Sequence, residues 1–282
     1  MYKLTLKNKS GNTLEFNNIG GAFTIVEING LNPADATINT SNMALIDGAK
    51  FNSSKVNMRT IDIAFVIERE PSKNRIEVYK VLKPKQPLEV AYKGDYRDVF
   101  IEGYVQSVNV DFFARKQQVT VSILCTSPYF KQAQEMVNEL SAIISAFHFP
   151  FSITEPVPFS YLDNNASLTI RNDGDVETGL IIDIYARGTA SNPKIYNYIT
   201  QEFIGVNFDF VPGDLITIDT RQGKKSITLL RNGITSNQFN TLMNGSKWLQ
   251  LEANESVFVG EASNGFANLE VIFRHNNLYE GV

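Results

Sequence analysis

The second half of the sequence repeats one short pattern, which constrains the fold more than any other feature. From residue 166 onwards, short apolar or alternating segments are separated by turn signals such as Pro212-Gly213-Asp214 and Asn232-Gly233. Strands that follow one another at roughly 8–12 residues are typical of a β-sandwich or a barrel. The predicted strands cover residues 168–171, 179–186, 203–210, 215–219, 225–230, 256–259 and 269–274.

The first half also predicts strands. Leu4 and Leu6 alternate with polar residues, and Leu14 and Phe16 do so after a Ser-Gly-Asn turn signal, which predicts an opening hairpin. Further strands are predicted at residues 23–28 and 59–68, and a long hairpin at residues 99–111 and 117–126. Cys125 is then a buried strand residue, not a reactive thiol.

Two helices interrupt this pattern. Ile76, Tyr79 and Leu82 recur every three residues after Pro71, which predicts an amphipathic helix over residues 71–82. A second apolar stripe predicts a connector helix over residues 131–147; it comprises Met136, Leu140, Ile143 or Ile144, and Phe147.

A Pro-rich stretch follows the connector helix and marks a domain boundary. Pro150, Pro156 and Pro158 favour extended backbone. With 282 residues and 43% hydrophobic content, the chain can fill two cores. We therefore expect an N-terminal barrel or sandwich-like domain at residues 1–130, a connector at 131–166, and a C-terminal β-sandwich at 167–282.

Charge and cysteine content exclude some classes of protein. A net charge of −4 disfavours sequence-specific nucleic-acid binding, and the short basic runs at Lys83-Pro84-Lys85 and Lys224-Lys225 are typical of solvated turns. The single Cys125 cannot form an internal disulfide, as is usual for a protein made in a reducing cytoplasm. We expect no signal peptide and no membrane insertion, because no apolar run approaches about 20 residues.

Catalytic signatures are missing from the sequence. His148 and His275 are the two histidines, and neither stands in a spacing that metal or nucleophile chemistry uses. We expect His148 to be a linker residue and His275 to be exposed at the end of the last strand. The sequence therefore predicts a protein that is not an enzyme, with no catalytic residue, no cofactor and no metal.

Three groups of residues suggest sites but have simpler interpretations. Asp173, Asp175 and Glu177 could hold calcium, but a twelve-residue loop would need Glu where Ile184 stands, so a structural turn is the preferred interpretation. Trp248 could stack on a sugar, yet its apolar neighbours favour a core position. Asp214 and Asp219 lie about 16 Å apart along a strand, so we expect each to accept hydrogen bonds in its own turn.

Several short motifs occur in order along the chain. In the first half they are Asn29-Gly30, Asn39-Thr40-Ser41, Asp47-Gly48, Arg59-Thr60-Ile61 and residues 126–130, and in the second half they are residues 170–179, 192–195, 212–220, 246–251 and 278–282. Taken together, these motifs resemble the distal tail proteins of siphophages. The family pattern leads us to expect Gly in the turn where Ala253 stands.

The resemblance implies a mainly β fold with a ring-forming N-terminal domain and a galectin-like C-terminal β-sandwich. It further implies a structural protein of the phage tail tip or baseplate, located in the virion and assembled in the bacterial cytoplasm. The implied partners are other copies of the chain in a homo-hexameric ring, the tail-tube protein, the tail hub or tail-associated protein, and a receptor-binding protein.

Two other functions stay open. The C-terminal β-sandwich could be a carbohydrate-binding module for host cell-wall glycans, which glycan-array binding of residues 150–282 would test. A glycan or peptidoglycan hydrolase is disfavoured because no acid–base arrangement is recognisable.

Overall fold

The computed structural model of the protein describes residues 2–17, 21–44, 47–114, 116–140, 143–145, 160–162 and 167–282. Strands dominate these residues, which confirms the predicted mainly β fold. The chain divides into two compact units: the first comprises Met1–Ala133 and Leu278–Val282, and the second comprises Gln134–Asn277.

The first part of the chain contributes ten strands and one α-helix to the described residues. They are β1 (Lys3–Asn8), β2 (Thr13–Asn17), β3 (Phe23–Asn29), β4 (Ala36–Asn42), β5 (Ala49–Val56), β6 (Arg59–Ile67), α1 (Pro71–Val81), β7 (Pro87–Lys93), β8 (Asp98–Val110), β9 (Gln117–Cys125) and β10 (Phe130–Gln132).

The rest of the chain contributes strands and two short 3₁₀ helices, Phe239–Thr241 and Phe266–Asn268. The strands are β11 (Met136–Leu140), β12 (Ile143–Ser145), β13 (Ser160–Leu162), β14 (Ser167–Asn172), β15 (Thr178–Gly179), β16 (Ile181–Ala186), β17 (Ala190–Asn197), β18 (Glu202–Gly205), β19 (Asp209–Phe210), β20 (Leu215–Asp219), β21 (Ser226–Arg231), β22 (Ile234–Asn237), β23 (Gln250–Leu251), β24 (Asn254–Asn264), β25 (Leu269–His275) and β26 (Leu278–Tyr279).

An antiparallel sheet forms the first unit, with strands in the order β2-β1-β7-β8-β9-β6-β3. Both predicted hairpins are present, as β1–β2 and β8–β9. Ile61 and Ile63 of β6 stand opposite Ile123 and Val121 of β9, and all four are fully buried. Alternation therefore directs one face of the sheet into the core, as the sequence predicts. Cys125 is also buried there, and burial raises the pKa of its thiol to about 11.

Helix α1 begins at Pro71, as predicted, but turns a different face to the core. Leu82 is buried with Val78 and Val81, whereas Ile76 is 54% exposed and Tyr79 is 40% exposed. The predicted stripe is thus wrong at two of its three positions. Positions 78, 81 and 82 also follow helical spacing, so periodicity alone could not choose between the two faces.

The predicted connector helix over residues 131–147 is wrong wherever the structure describes this segment. Lys131 pairs with Phe100 of β8, and β11 pairs with β25 from Met136↔His275 to Leu140↔Val271. Apolar residues spaced by three or four positions fit a helix, but partner strands elsewhere in the chain satisfy the backbone instead. Phe147, the last residue of the predicted stripe, lies outside the described residues.

The second unit is a β-sandwich. One sheet has the order β11-β25-β16-β20-β21-β22, and the other has β14-β24-β17-β18 with β19 beside β17. Their inner faces share one apolar core, in which the rings of Phe258 from β24 and Phe273 from β25 stack with centroids 5.0 Å apart. This unit begins at residue 134, and residues 278–282 belong to the first unit, whereas the predicted boundaries were residues 130 and 167.

Candidate assembly surfaces

Strands β4 and β5 form a hairpin that does not join the main sheet of the first unit. They pair only with each other, and every residue of β4 is exposed. We call this hairpin, Ala36–Val56, the arm. A two-stranded hairpin without a packed face is marginally stable in water. The arm is therefore a candidate for contact with another protein chain.

The arm has two chemically different faces. Residues opposite each other in an antiparallel pair lie on the same face, so Ile38 shares a face with Ser54, and Thr40 with Phe51. Ile38 is 62% exposed and Phe51 is 60% exposed on this apolar face. The other face carries hydrogen bonds between polar side chains, namely Thr37 to Asn57 at 2.9 Å, Asn39 to Ser53 at 3.0 Å and Ser41 to Asn52 at 3.3 Å.

A buried arginine fixes the base of the arm. The Arg59 guanidinium donates to the carbonyl oxygens of Gly30 at 2.6 Å and Asn32 at 2.7 Å, both of which precede the arm. It also donates to Pro128 O at 2.8 Å and Glu280 O at 2.5 Å. Burial lowers the pKa of Arg59, and carbonyl dipoles hold its charge. These hydrogen bonds hold in place the loop of residues 30–32, which precedes the arm.

Residues Leu278–Val282 complete this fixed base, and we call them the latch. Strand β26 pairs with β10, and Val282 N donates to Leu31 O at 3.2 Å. Arg97 donates to Gly281 O and lies over the Tyr279 ring, 4.4 Å from its centroid. The latch therefore supports the same loop, residues 30–32, from which the arm begins.

Of the two histidines, the structure describes His275. His275 is 2% exposed, so the predicted exposed position is wrong: it continues the inward-facing series of β25, after Val271 and Phe273. Neither of its ring nitrogens has a hydrogen-bond partner of ordinary geometry among the described residues. Burial lowers the pKa of His275. His148 lies outside the described residues.

The acidic run after β14 forms a structural turn. Its centre is the buried Asn172, whose side chain donates to Val176 O at 3.0 Å and Leu251 O at 3.3 Å and accepts from Gly174 N at 2.9 Å. The Asp173 carboxylate accepts from Arg171 Nε at 2.6 Å. No group of three potential metal ligands occurs in the parts of the chain that the structure describes.

Asp214 and Asp219 bind separate partners, as predicted. Asp214 accepts from Val211 N at 2.9 Å, and Asp219 accepts from Arg221 N at 3.0 Å, which confirms their roles in turns. The sequence did not reveal that each also binds an arginine side chain: Arg231 for Asp214 and Arg221 for Asp219.

Trp248 packs against the core of the second unit, as the preferred interpretation predicts. Phe239 stacks on its ring at a centroid distance of 5.7 Å, and Lys225 Nζ lies 5.6 Å from the ring centroid. At the turn where the family pattern suggests Gly in place of Ala253, the positive φ of 84° falls on Asn254 instead. Asn tolerates this conformation, so the local departure does not disrupt the turn.

Comparison with known families decides the identity of the chain. Residues 173–276 match the family described as "Siphovirus-type tail component, C-terminal domain", and residues 9–125 match the "Phage tail protein RIFT-related domain". The chain belongs to the siphophage distal tail proteins. This confirms the resemblance. As a structural protein of the phage tail, it is a component of the virion.

Solved structures of tail proteins share the fold of this distal tail protein. The crystal structure of SPP1 Dit, described as a paradigm of the hub adsorption apparatus in phages that infect Gram-positive bacteria, aligns with a TM-score of 0.68 and 12% identity over 96% of this chain and 98% of that one. A chain of the phage P2 baseplate in its activated conformation with Ca aligns with a TM-score of 0.52 and 12% identity over 97% of each chain. No curated protein sequence matches.

None of the described helices has the length and hydropathy needed to cross a membrane.

Proposed function

We propose that this distal tail protein assembles into a closed homomeric ring at the tail tip, where it joins the tail tube to the hub. The observation that supports the ring most directly is the arm, an exposed hairpin with an apolar face and a fixed base. The role is structural and needs no enzymatic activity. Subunits are made in the host cytoplasm and leave in the virion.

A closed ring needs two different surfaces on each subunit, because neighbours contact each other head to tail. The arm supplies one of them. Its apolar face, with Ile38 and Phe51, gains hydrophobic free energy only when another chain covers it. The neighbouring subunit supplies that cover in the ring, while the polar face with Asn39 and Ser53 stays in contact with water.

The acidic composition fits a ring through which DNA passes without being read. A net charge of −4 supplies no excess of cations to neutralise phosphates. The structurally similar SPP1 Dit is described as part of a hub adsorption apparatus, and this supports a hub as partner of the present chain. A receptor-binding protein is a further partner, attached outside the ring.

Light scattering of the purified full-length protein tests the role of the arm. We expect the wild type to form one closed oligomer and Ile38→Ser with Phe51→Ser to give monomers, with unchanged circular dichroism. The matched control, Lys50→Ser with Lys55→Ser, changes two residues of β5 on the opposite face and should leave the oligomer intact. An oligomer that withstands the apolar double substitution would refute the arm as the ring contact.

A second candidate function, glycan binding, is supported by one observation on the second unit. Tyr196 and Phe203 lie side by side on the outer face of the sheet β14-β24-β17-β18, with centroids 5.5 Å apart. The Tyr196 hydroxyl donates to Glu261 at 3.0 Å. Aromatic rings can stack on a sugar, and a neighbouring carboxylate can accept hydrogen bonds from its hydroxyl groups. Glycan-array binding that disappears with Tyr196→Ala would support this function; absence of binding to any glycan would exclude it.

A further inference from the structure

Four Asn-Gly pairs occur in the sequence, and the structure gives them different surroundings. In such a pair the backbone nitrogen of Gly can attack the side-chain amide carbon of Asn, because Gly has no side chain to hinder the approach. The attack requires the peptide unit between the two residues to rotate out of its folded conformation. All four Asn residues are exposed, so exposure does not distinguish them. The pairs are Asn29-Gly30, Asn232-Gly233, Asn244-Gly245 and Asn264-Gly265.

Backbone packing holds two of these pairs in place. A Cβ atom at Gly30 would lie 2.1 Å from Thr60 O, and one at Gly265 would lie 2.4 Å from Thr189 O. Gly30 O also accepts a hydrogen bond from the buried Arg59 at 2.6 Å. The adjacent main chain leaves little room at either glycine for the rotation that the attack requires. We therefore expect both pairs to react slowly in the folded protein.

The pair Asn232-Gly233 lies in open surroundings. Among the described residues, no heavy atom outside the neighbouring positions of the chain lies within 4 Å of a Cβ atom placed at Gly233. Asn232 has a φ of 52° and Gly233 a φ of 78°, as in the type I′ turn of a two-residue hairpin. The following strand, β22, has four residues, and β21 is its partner in the sheet. A short strand at a sheet edge opens locally at a small cost in free energy, so this turn can reach the reactive conformation.

The pair Asn244-Gly245 is an intermediate case. A Cβ atom at Gly245 would lie 3.7 Å from the Phe203 ring, which is an ordinary van der Waals distance. Ser246, the next residue, ties the turn to β18, because its hydroxyl accepts from Gly205 N at 3.2 Å. The turn has space around it but is held at one end, so we expect a rate between those of the other pairs.

We propose that Asn232 is a site of spontaneous deamidation, which converts it to aspartate and isoaspartate in the folded protein. Gly233 N bonds to Asn232 Cγ while the bond from Cγ to Nδ2 breaks. The proton of Gly233 N passes through solvent to the leaving nitrogen, which departs as ammonia. Water then opens the cyclic imide: addition at Cγ gives aspartate, and addition at the backbone carbonyl carbon gives isoaspartate. Neither step oxidises or reduces any atom.

The products should disturb the end of β21. Arg231, which precedes the site, binds both carboxylate oxygens of Asp214 at 2.6 Å. Isoaspartate adds one atom to the main chain of a two-residue turn, so the pairing of Arg231 with Ile234 no longer closes with type I′ geometry. Either product also places a new carboxylate beside Arg231, where it competes with Asp214. Deamidation should therefore lower the midpoint of thermal unfolding.

The test is incubation of the purified full-length protein at about pH 8.5 and 37 °C, followed by peptide mass spectrometry that separates aspartate from isoaspartate. We expect Asn232 to convert at least about fivefold faster than Asn29 or Asn264, with Asn244 between them. In urea the four pairs should convert at rates within about twofold of each other. Asn232→Gly is the control for the consequence, because Gly suits the same turn but has no amide to lose. The unfolding midpoint of this variant should change less on incubation than that of the wild type.

Three outcomes would overturn the proposal. The first is an incubated wild type in which Asn232 is unchanged or converts no faster than Asn29 and Asn264. The second is the same order of rates in urea as in the folded protein, since neighbouring residues and not the structure would then set the rate. The third is an equal loss of the unfolding midpoint in the wild type and in Asn232→Gly. None of these measurements depends on the ring of the proposed function, so the two proposals fail independently.

Discussion

Arg231 binds both carboxylate oxygens of Asp214, each at 2.6 Å, and so joins the end of β21 to the turn before β20. Asp214 is almost fully buried. The hydrogen bond from Arg231 is the main cause that lowers the pKa of Asp214. The charge of the Asp214 carboxylate therefore contributes to its bond with Arg231, in addition to the hydrogen bond that Asp214 accepts within its turn.

Asp214→Asn should destabilise the second unit more than Asp219→Asn, because the Asp219 pair with Arg221 is local and the Asp214 pair links two strands. We expect Asp214→Asn to lower the midpoint of thermal unfolding by roughly 3–6 °C at pH 7. A carboxyl whose folded pKa is lowered contributes stability above its ordinary pKa and loses it as pH falls through the folded pKa. The difference between wild type and Asp214→Asn should therefore shrink below about pH 4. Equal midpoints at pH 7 would refute this role.

His275 should make the stability of the second unit depend on pH between pH 8 and pH 5. Burial lowers its pKa below the ordinary 6.5, with Asn277 and Glu135 opposing the shift. Between the two pKa values the unfolded chain binds more protons, so stability falls as pH drops through 6.5 towards the folded pKa. Thermal unfolding from pH 8 to pH 5 should show this loss in the wild type and less of it in His275→Leu. Parallel curves for the two proteins would contradict the prediction.

Arg59 should be more important for stability than a surface arginine. Arg59→Lys keeps the charge but cannot match the four carbonyls that the planar guanidinium reaches, and we expect a loss of about 2 kcal/mol in the free energy of unfolding. Arg171→Lys, at an exposed ion pair, is the control and should change stability by less than about 0.5 kcal/mol. Urea unfolding of the full chain measures both. An equal effect of the two substitutions would show that the base of the arm does not depend on Arg59.

The latch predicts how the chain can be divided. Residues 1–133 alone lack β26 and the hydrogen bonds from Arg59 to Glu280 O and from Arg97 to Gly281 O. We therefore expect this fragment to unfold at lower temperature than the same fragment joined to residues 278–282 by a flexible linker. We further predict that ring formation resides in this unit. Light scattering on the linked fragment and on residues 134–277 shows which unit forms the oligomer. If only residues 134–277 oligomerised, the roles of the units would be reversed.

Asn172 rather than the neighbouring carboxylates should control the turn after β14. Asn172→Ala removes two donors and one acceptor from partners that are buried (Leu251) or half-buried (Val176 and Gly174), and should cost about 2–3 kcal/mol. Asp173→Asn and Asp175→Asn should be nearly neutral, and calcium should not change the unfolding temperature. A stabilisation by calcium that Asp175→Asn abolishes would reinstate the metal site.

Alternation of polar and apolar residues was enough to predict the hairpins β1–β2 and β8–β9, because one face of each strand is buried in the core of the first unit. The arm could not be predicted in this way. No residue of strands β4 and β5 is fully buried, so these strands show no alternating set of core residues, and the exposed Ile38 and Phe51 indicate a second surface.

Long-range pairing explains the remaining differences. The spacing of Met136 and Leu140 fits a helix, but the partner strand β25, far along the chain, makes this segment a strand. The links from Arg59 to Glu280 and from Arg231 to Asp214 likewise join positions whose relation is fixed only by the fold. A sequence shows which residues can form such bonds, and the topology decides which of them meet.

Native mass spectrometry of the purified full-length protein tests the central claim most directly. A closed ring predicts one dominant oligomer with a fixed number of subunits over a wide concentration range, at six times the chain mass of 31.6 kDa for the predicted hexamer. A monomer at all concentrations, or an open series of growing oligomers, would contradict the account of this chain as the ring of the tail tip.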